Sequence, residues 1–241
     1  MNLQRLARDF VARDIMTPSD QFTRAASAAG AAEVFGKDKR FDVIPIPEKG
    51  RVVEFWESHT AQSGTIGIQH VVSADTPILD LVDSLRDRRF VFVVGQHDVV
   101  GLVHFSDLND AVVKLAFFAL LTGLEHKAAE LIRGCVRCDN LEDFVENSTG
   151  RYKREMKKLR GKGANRDWVT LFSFPDVLKA AAKSGKLRPE LEASQVADLK
   201  KVRNSVAHAA GEPLVEAHPE DVQRLGRVRD LCIKHLGMGL G

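Results

Sequence analysis

The rhythm of apolar positions changes near residue 112. Before it, short apolar runs alternate with turn signals; after it, apolar residues recur three or four apart. Phe41 to Ile46 predicts a strand, closed by Pro47 and the turn-like Glu48-Lys49-Gly50, and Arg51 to Trp56 predicts its hairpin partner. Asp75-Thr76-Pro77 opens a helix, because Pro suits a first turn, and Ile78, Leu81, Val82 and Leu85 keep helical spacing. Phe90 to Val94 and Val99 to Phe105 predict two strands about the turn Gln96-His97-Asp98. Ser106 or Asp107 is placed to cap the helix that follows. The order strand-helix-strand-strand-helix is clear from Val71 to about Val113, and a degraded copy runs from Ala12 to about Trp56. A repeat of this size implies two units packed about a pseudo-twofold axis, neither burying its sheet alone.

In the second half, Val113, Phe117, Leu120, Leu124, Ala128 and Leu131 form one apolar stripe. Ser173-Phe174-Pro175-Asp176 resembles a capping box and starts a helix that ends near Gly185. Leu191 to Ala210 predicts another, with Leu199, Val202 and Val206 on one side. His218-Pro219-Glu220-Asp221 opens the last, carrying Val222, Leu225, Val228 and Leu231. The expected fold class is therefore α+β: a β-α-β-β-α pair over residues 1–112, then an all-α bundle of four or five helices over 113–241.

Charge sharpens this division. Residues 1–112 hold 12 Lys and Arg against 16 Asp and Glu, and the remainder holds 23 against 17. An acidic half joined to a basic half implies different partners, with the basic half the place for a polyanion. No apolar run reaches the ~18 residues of a membrane helix, and Met1 to Arg13 lacks a secretion signal, so no membrane partner and a cytoplasmic location are expected. Three cysteines do not make a disulfide framework. Cys135-x2-Cys138 with Cys232 and His235 has zinc-ligand spacing. In an up-down bundle the ends of the first and last helices lie at opposite poles, so no metal is expected.

Two strings carry chemistry. Arg203-Asn204-Ser205-Val206-Ala207-His208 places a fixed cation, a carboxamide and a titratable imidazole within two helical turns, groups that suit a phosphodiester. Asn204 and His208, four apart, share a face nearly opposite Leu199, Val202 and Val206. Arg203 sits about 140° from His208, at ~100° per residue, so two such helices from a homodimer are needed to focus both on one atom. The alternative is that Arg203 pairs with Asp198 or Glu212 while His208 ends a helix. The second string, Gly101 to Leu108, suggests a separate ligand site; its alternative is that Asp107 only caps a helix. A basic run includes Arg151, Lys153, Arg154, Lys157 and Lys158, suited to backbone phosphates or to a solvated face.

Asp14-Ile15-Met16-Thr17-Pro18, Phe41 to Ile46, Val72 to Ile78 and Gly101 to Leu108 together resemble a tandem pair of CBS domains. That resemblance implies an adenine nucleotide as regulatory ligand, with Asp107 on the ribose hydroxyls and contacts at Gly101, His104, Ser106, Ile46 and Thr76. His104 stands where the family's Gly-x-x-Thr-x-x-Asp string has Thr. The first copy lacks the acceptor Asp after Ile46, which implies at most one complete site. Residues 113 to 236 resemble a HEPN domain on the Arg-polar-x3-His form of Arg203 to His208. The second resemblance implies a metal-independent ribonuclease that needs no cofactor, working by attack of the ribose 2′-hydroxyl. His208 would move the proton, Arg203 stabilise transition-state charge, and Asn204 orient His208 or bind phosphate. A non-catalytic regulator that binds RNA or a protein is the other reading.

Overall fold

The computed structural model describes residues 3–39, 41–135, 169, 172–183, 187, 191–207 and 212–238. The regular elements among them are α1 (Leu3–Asp9), β1 (Thr17–Pro18), α2 (Ala28–Lys37), β2 (Val43–Glu48), β3 (Arg51–Glu57), β4 (Gln62–Thr65), β5 (Val71–Ser73), α3 (Ile78–Ser84), β6 (Phe90–Val94), β7 (Val99–His104), α4 (Ala111–Cys135), α5 (Phe174–Lys183), α6 (Ala193–Ala207) and α7 (Glu220–Leu236). The class is mixed α+β. Two compact units form: Arg8–Ala116 with Pro213–Gln223, which holds both sheets, and Met1–Ala7, Phe117–Glu212 and Arg224–Gly241.

In the sheet unit, β2, β3 and β4 make one antiparallel sheet, and β1-β7-β6-β5 make the other. Alternation along β2 and β3 sorts their side chains. Ile44 pairs with Trp56, and with Ile46 these bury one face against Ala31 of α2 and Ala25. Val43 and Phe55 leave from the opposite face and pack with Phe90, Phe92 and Leu102 of the second sheet. Each sheet thus covers the other, as a repeat that cannot bury its own sheet requires. The copies also exchange segments: β1, from the first, pairs with β7 of the second, Thr17 opposite Leu102 and Pro18 opposite Gly101. A Cβ on Gly101 would meet Met16 Sδ and lie 3.0 Å from the Thr17 carbonyl, so the close approach of β1 requires glycine.

Several predicted boundaries shift for physical reasons. The strand expected to stop at Ile46 continues through Pro47 to Glu48. β2 is a sheet edge with a register irregularity at Ile46/Pro47, where a missing N–H is tolerated. Its hairpin closes on Lys49 and Gly50, both at positive φ, as a two-residue primed turn demands. β4 carries no apolar alternation (Gln62-Ser63-Gly64-Thr65), and pairing with β3 alone makes it a strand.

In the other unit, Phe117, Leu120, Leu124 and Ala128 of α4 are fully buried, whereas Leu131 is half-buried and Ile132 takes the inward position. Ser173 and Asp176 join by side chains at 2.6 Å to start α5, as the capping pattern predicts. On α6 the buried row is Val196, Leu199, Val202 and Ser205; Val206, expected on that face, is only half-buried. Ser205 manages burial by donating to the Lys201 carbonyl at 3.2 Å. No helix among the described residues is long and apolar enough to cross a membrane.

Candidate functional site

β7 ends at His104, and the chain turns sharply into a 3₁₀ turn, Phe105–Asn109. The Asp107 carboxylate accepts the His104 N–H at 2.8 Å, closing that turn. The helix that follows, α4, is capped instead by Asp110, whose Oδ1 accepts from Val112 N at 2.7 Å. Neither Ser106 nor Asp107 caps α4, because the 3₁₀ turn intervenes.

A cavity of about 210 Å³ opens beside this turn. Its walls come from both copies of the repeat: Thr17, Phe22, Asp42 and Val43 from the first, and His104, Ser106 and Asp107 from the second. Phe41, Pro45 and Leu102 add apolar surface. Of the residues expected to contact a nucleotide, His104, Ser106 and Asp107 lie together here. Gly101, Ile46 and Thr76 do not line it. Gly101 admits β1, and Ile46 is buried against Trp56. Thr76 accepts the Ala12 N–H at 2.8 Å on its carbonyl, joining the two copies.

His104 sits at the centre of the polar groups. Its Nδ1 lies 2.7 Å from Ser106 Oγ. Its Nε2 lies 3.0 Å from Asp42 Oδ2, a coulombic approach that is not aligned as a hydrogen bond. The same Asp42 oxygen accepts from Arg89 Nη2 at 2.8 Å, and Asp42 Oδ1 accepts from Ser58 Oγ at 3.2 Å. Arg89 is held over the Phe105 ring, 4.7 Å from its centroid. Burial alone would push the Asp42 carboxyl up; the Arg89 hydrogen bond, with the His104 and Arg89 charges and Ser58, outweighs it and holds the group below the usual carboxylate range. Burial lowers His104 below an ordinary histidine, with Asp42 opposing and Arg89 reinforcing the shift. Asp107 is raised, chiefly by burial, although the His104 N–H works against that shift.

Asp42 and Arg89 were not singled out from the sequence. Each stands just before a buried strand, a charged residue at a strand entry, but their pairing across 47 positions is a tertiary fact. A second, larger cavity of about 350 Å³ is lined by Phe55, Phe90, Glu57, His59, His70, Arg88, Arg89 and His218. There His70 is fixed by the Gly67 N–H on Nδ1 (3.1 Å) and packs edge-on against Phe55. His218 Nε2 donates to the Leu85 carbonyl at 2.9 Å.

In the helical unit, Arg203 is half-buried and Asn204 exposed on α6. His208 lies outside the described residues, as do Arg151, Lys153, Arg154, Lys157 and Lys158. Asp198, one candidate partner for Arg203, is taken by Arg227 at 2.9 Å and Arg224 at 3.5 Å. Cys232 is a fully buried free thiol whose pKa burial pushes up. Cys138 lies outside the described residues, among which no cluster of three metal-ligating side chains occurs.

No family model matches the chain, and no curated protein does. Solved structures similar to it include CBS-domain proteins. One is the CBS domain of the bacterial CNNM/CorC family Mg2+ transporter in complex with ATP, at 14% identity over 48% of this chain and 94% of that one, with a TM-score of 0.38. A hemolysin-like protein containing a CBS domain, from Oenococcus oeni PSU, matches at 12% identity over 45% and 96%, with a TM-score of 0.36.

Proposed function

We propose that the sheet unit is a tandem CBS-type sensor and that the cavity at Asp107 takes the adenosine part of an adenine nucleotide. The observation that carries this reading is the convergence of both repeat copies on one cavity, with Asp107 at its polar end. Asp107 Oδ2 is engaged by the His104 N–H. Its other oxygen can accept the paired ribose hydroxyls, which a nearby cap would not require. Phe22, Phe41, Val43, Pro45 and Leu102 suit the faces of a base. Calorimetry with AMP and ATP tests the assignment. Asp107→Ala should weaken binding at least about tenfold, the loss of a hydrogen bond to a charged group. Equal binding by both forms removes the site.

The output we propose is metal-independent RNA cleavage by a homodimer, through Arg203, Asn204 and His208 of a HEPN-like domain over residues 113–241. What favours it over a structural role is that Arg203 is not held by its expected partner Asp198. Among the described residues it has no ion-pair partner, because Asp198 holds Arg224 and Arg227. The basic run from Arg151 to Lys158 would bind RNA phosphates, with an affinity that falls steeply with salt and less steeply once Lys157 and Lys158 are neutralised. Chelator-treated protein should cleave RNA, and His208→Ala should not. Equal slow rates leave a non-catalytic, nucleotide-responsive binder of RNA or protein.

A further inference from the structure

We infer that His104 makes the binding of a phosphate-bearing ligand proton-coupled: the cavity holds the anion with an imidazolium and binds it more tightly as pH falls, while an uncharged nucleoside is indifferent to pH. This rests on the Asp107 cavity being the adenosine site.

The geometry gives His104 two distinct donor arrangements. Nε2 faces the Asp42 carboxylate at 3.0 Å, which favours a hydrogen on that nitrogen. In the neutral ring Nδ1 is then an acceptor, 2.7 Å from Ser106 Oγ and 3.4 Å from Ser106 N. The Ser106 hydroxyl must donate to it, so that hydrogen is engaged and is not offered to a ligand. Protonation at Nδ1 reverses this bond: Nδ1–H donates to Ser106 Oγ, and the hydroxyl hydrogen is released to a ligand oxygen. One proton taken from solvent therefore adds a positive charge and a hydrogen-bond donor on the same wall.

The groups facing His104 set the need for that proton. Asp42 attracts it; Arg89, across the same carboxylate, and His218, from the 213–223 segment, repel it. Asp107 and Asp110 stand on the turn that follows. Among the described residues lining the cavity are two carboxylates and neither Lys nor Arg. Arg24 lies 5.9 Å from the Phe22 ring with its guanidinium on the Ser19 carbonyl. Burial lowers the His104 pKa and so favours the neutral imidazole, and an anion must draw the proton in. A Thr at this position, as in the resembled family, would supply a hydroxyl without this linkage.

Calorimetry of the full chain with adenosine and with adenosine 5′-sulfate, whose charge does not titrate in this range, separates the effects. Between pH 7.5 and 6, affinity for the sulfate should rise by up to ~10-fold per pH unit, the limit for uptake of one proton, while adenosine stays constant. Repeating the titrations in buffers of different ionisation heat should show proton uptake with the sulfate only. In His104→Gln the slope for the sulfate should vanish. An unchanged slope in that variant, or a flat one in the wild type, overturns the inference. Nitrogen-15 imidazole spectra of the wild type give a check that needs no variant: His104 Nδ1 should become protonated when the sulfate binds, and a neutral ring in the complex also overturns it. If no adenosine compound binds, the underlying site reading falls as well.

Discussion

The two cavities of the sheet unit share a partition and differ in chemistry. The cluster of Val43, Phe55, Phe90, Phe92 and Leu102 lies between them. Val43 and Leu102 face the Asp107 cavity, and Phe55 and Phe90 face the larger one. One ion pair also serves both, since Asp42 lines the first cavity and its partner Arg89 lines the second. Yet the first sets Asp42 and Asp107 around a single histidine with no guanidinium group in its lining, whereas the second sets Arg88 and Arg89 among three histidines, beside Glu57 and Asp87. The first copy has no Asp in Gly50 to Glu57 at the place of Asp107, and its Glu57 lines the larger cavity together with Arg88 and Arg89.

The largest effect should come from removing what they share. Phe92→Ala in the fully buried centre of the partition should cost about 3–5 kcal/mol, read as a lower urea midpoint, with ligand binding lost. An unchanged midpoint would mean that the partition contributes little. Asp107→Asn should touch one cavity alone. It keeps the acceptor for the His104 N–H while weakening ligand binding by about 1.5–3 kcal/mol. Because burial raises Asp107, its ionised form costs stability at neutral pH, a cost absent below the unfolded carboxyl pKa near 3.8 and present once pH exceeds the folded value. The variant should therefore melt higher than wild type at pH 7, and the gap should close in acid. A lower melting temperature would break the assignment.

His104 has the opposite sign. Its folded pKa lies below 6.5, so its contribution is complete above pH 6.5 and is lost as pH falls through the folded value. His104→Gln should flatten that part of the stability profile, and an identical profile would show that another group carries it. The smallest effect belongs to the second cavity. Burial first, then Arg88, lowers His70. Arg88→Gln should move the His70 titration upward by NMR and leave His104 where it was.

Much of the sheet unit was legible from residue order. The β6 and β7 runs, the helix after Pro77 and the capping pattern at Ser173 follow from periodicity and local chemistry. β4 was not legible, because four polar residues become a strand only when β3 offers them a ladder. The part of the candidate site in 104–107 was visible as one short string, since a single turn assembles it. Thr17, Asp42 and Val43 were not placed in it, because they reach the cavity only when the first copy folds against the second. Ser205 shows the same limit on α6: helix packing buries this polar residue, and its hydroxyl finds a carbonyl one turn back.

Sequence alone determined which residues could be strand, helix or turn, because backbone preference and apolar spacing act over a few neighbours. It also set the contrast between an acidic first half and a basic second half. Tertiary structure decided which charges meet. Asp42, Arg89 and His104 come from three separate strand ends, and only the stacking of two sheets brings Asp42 to within 3.0 Å of both Arg89 Nη2 and His104 Nε2. Burial in that stack then sets when the imidazole can hold a proton, since the cost of a charge depends on what surrounds it rather than on its neighbours along the chain.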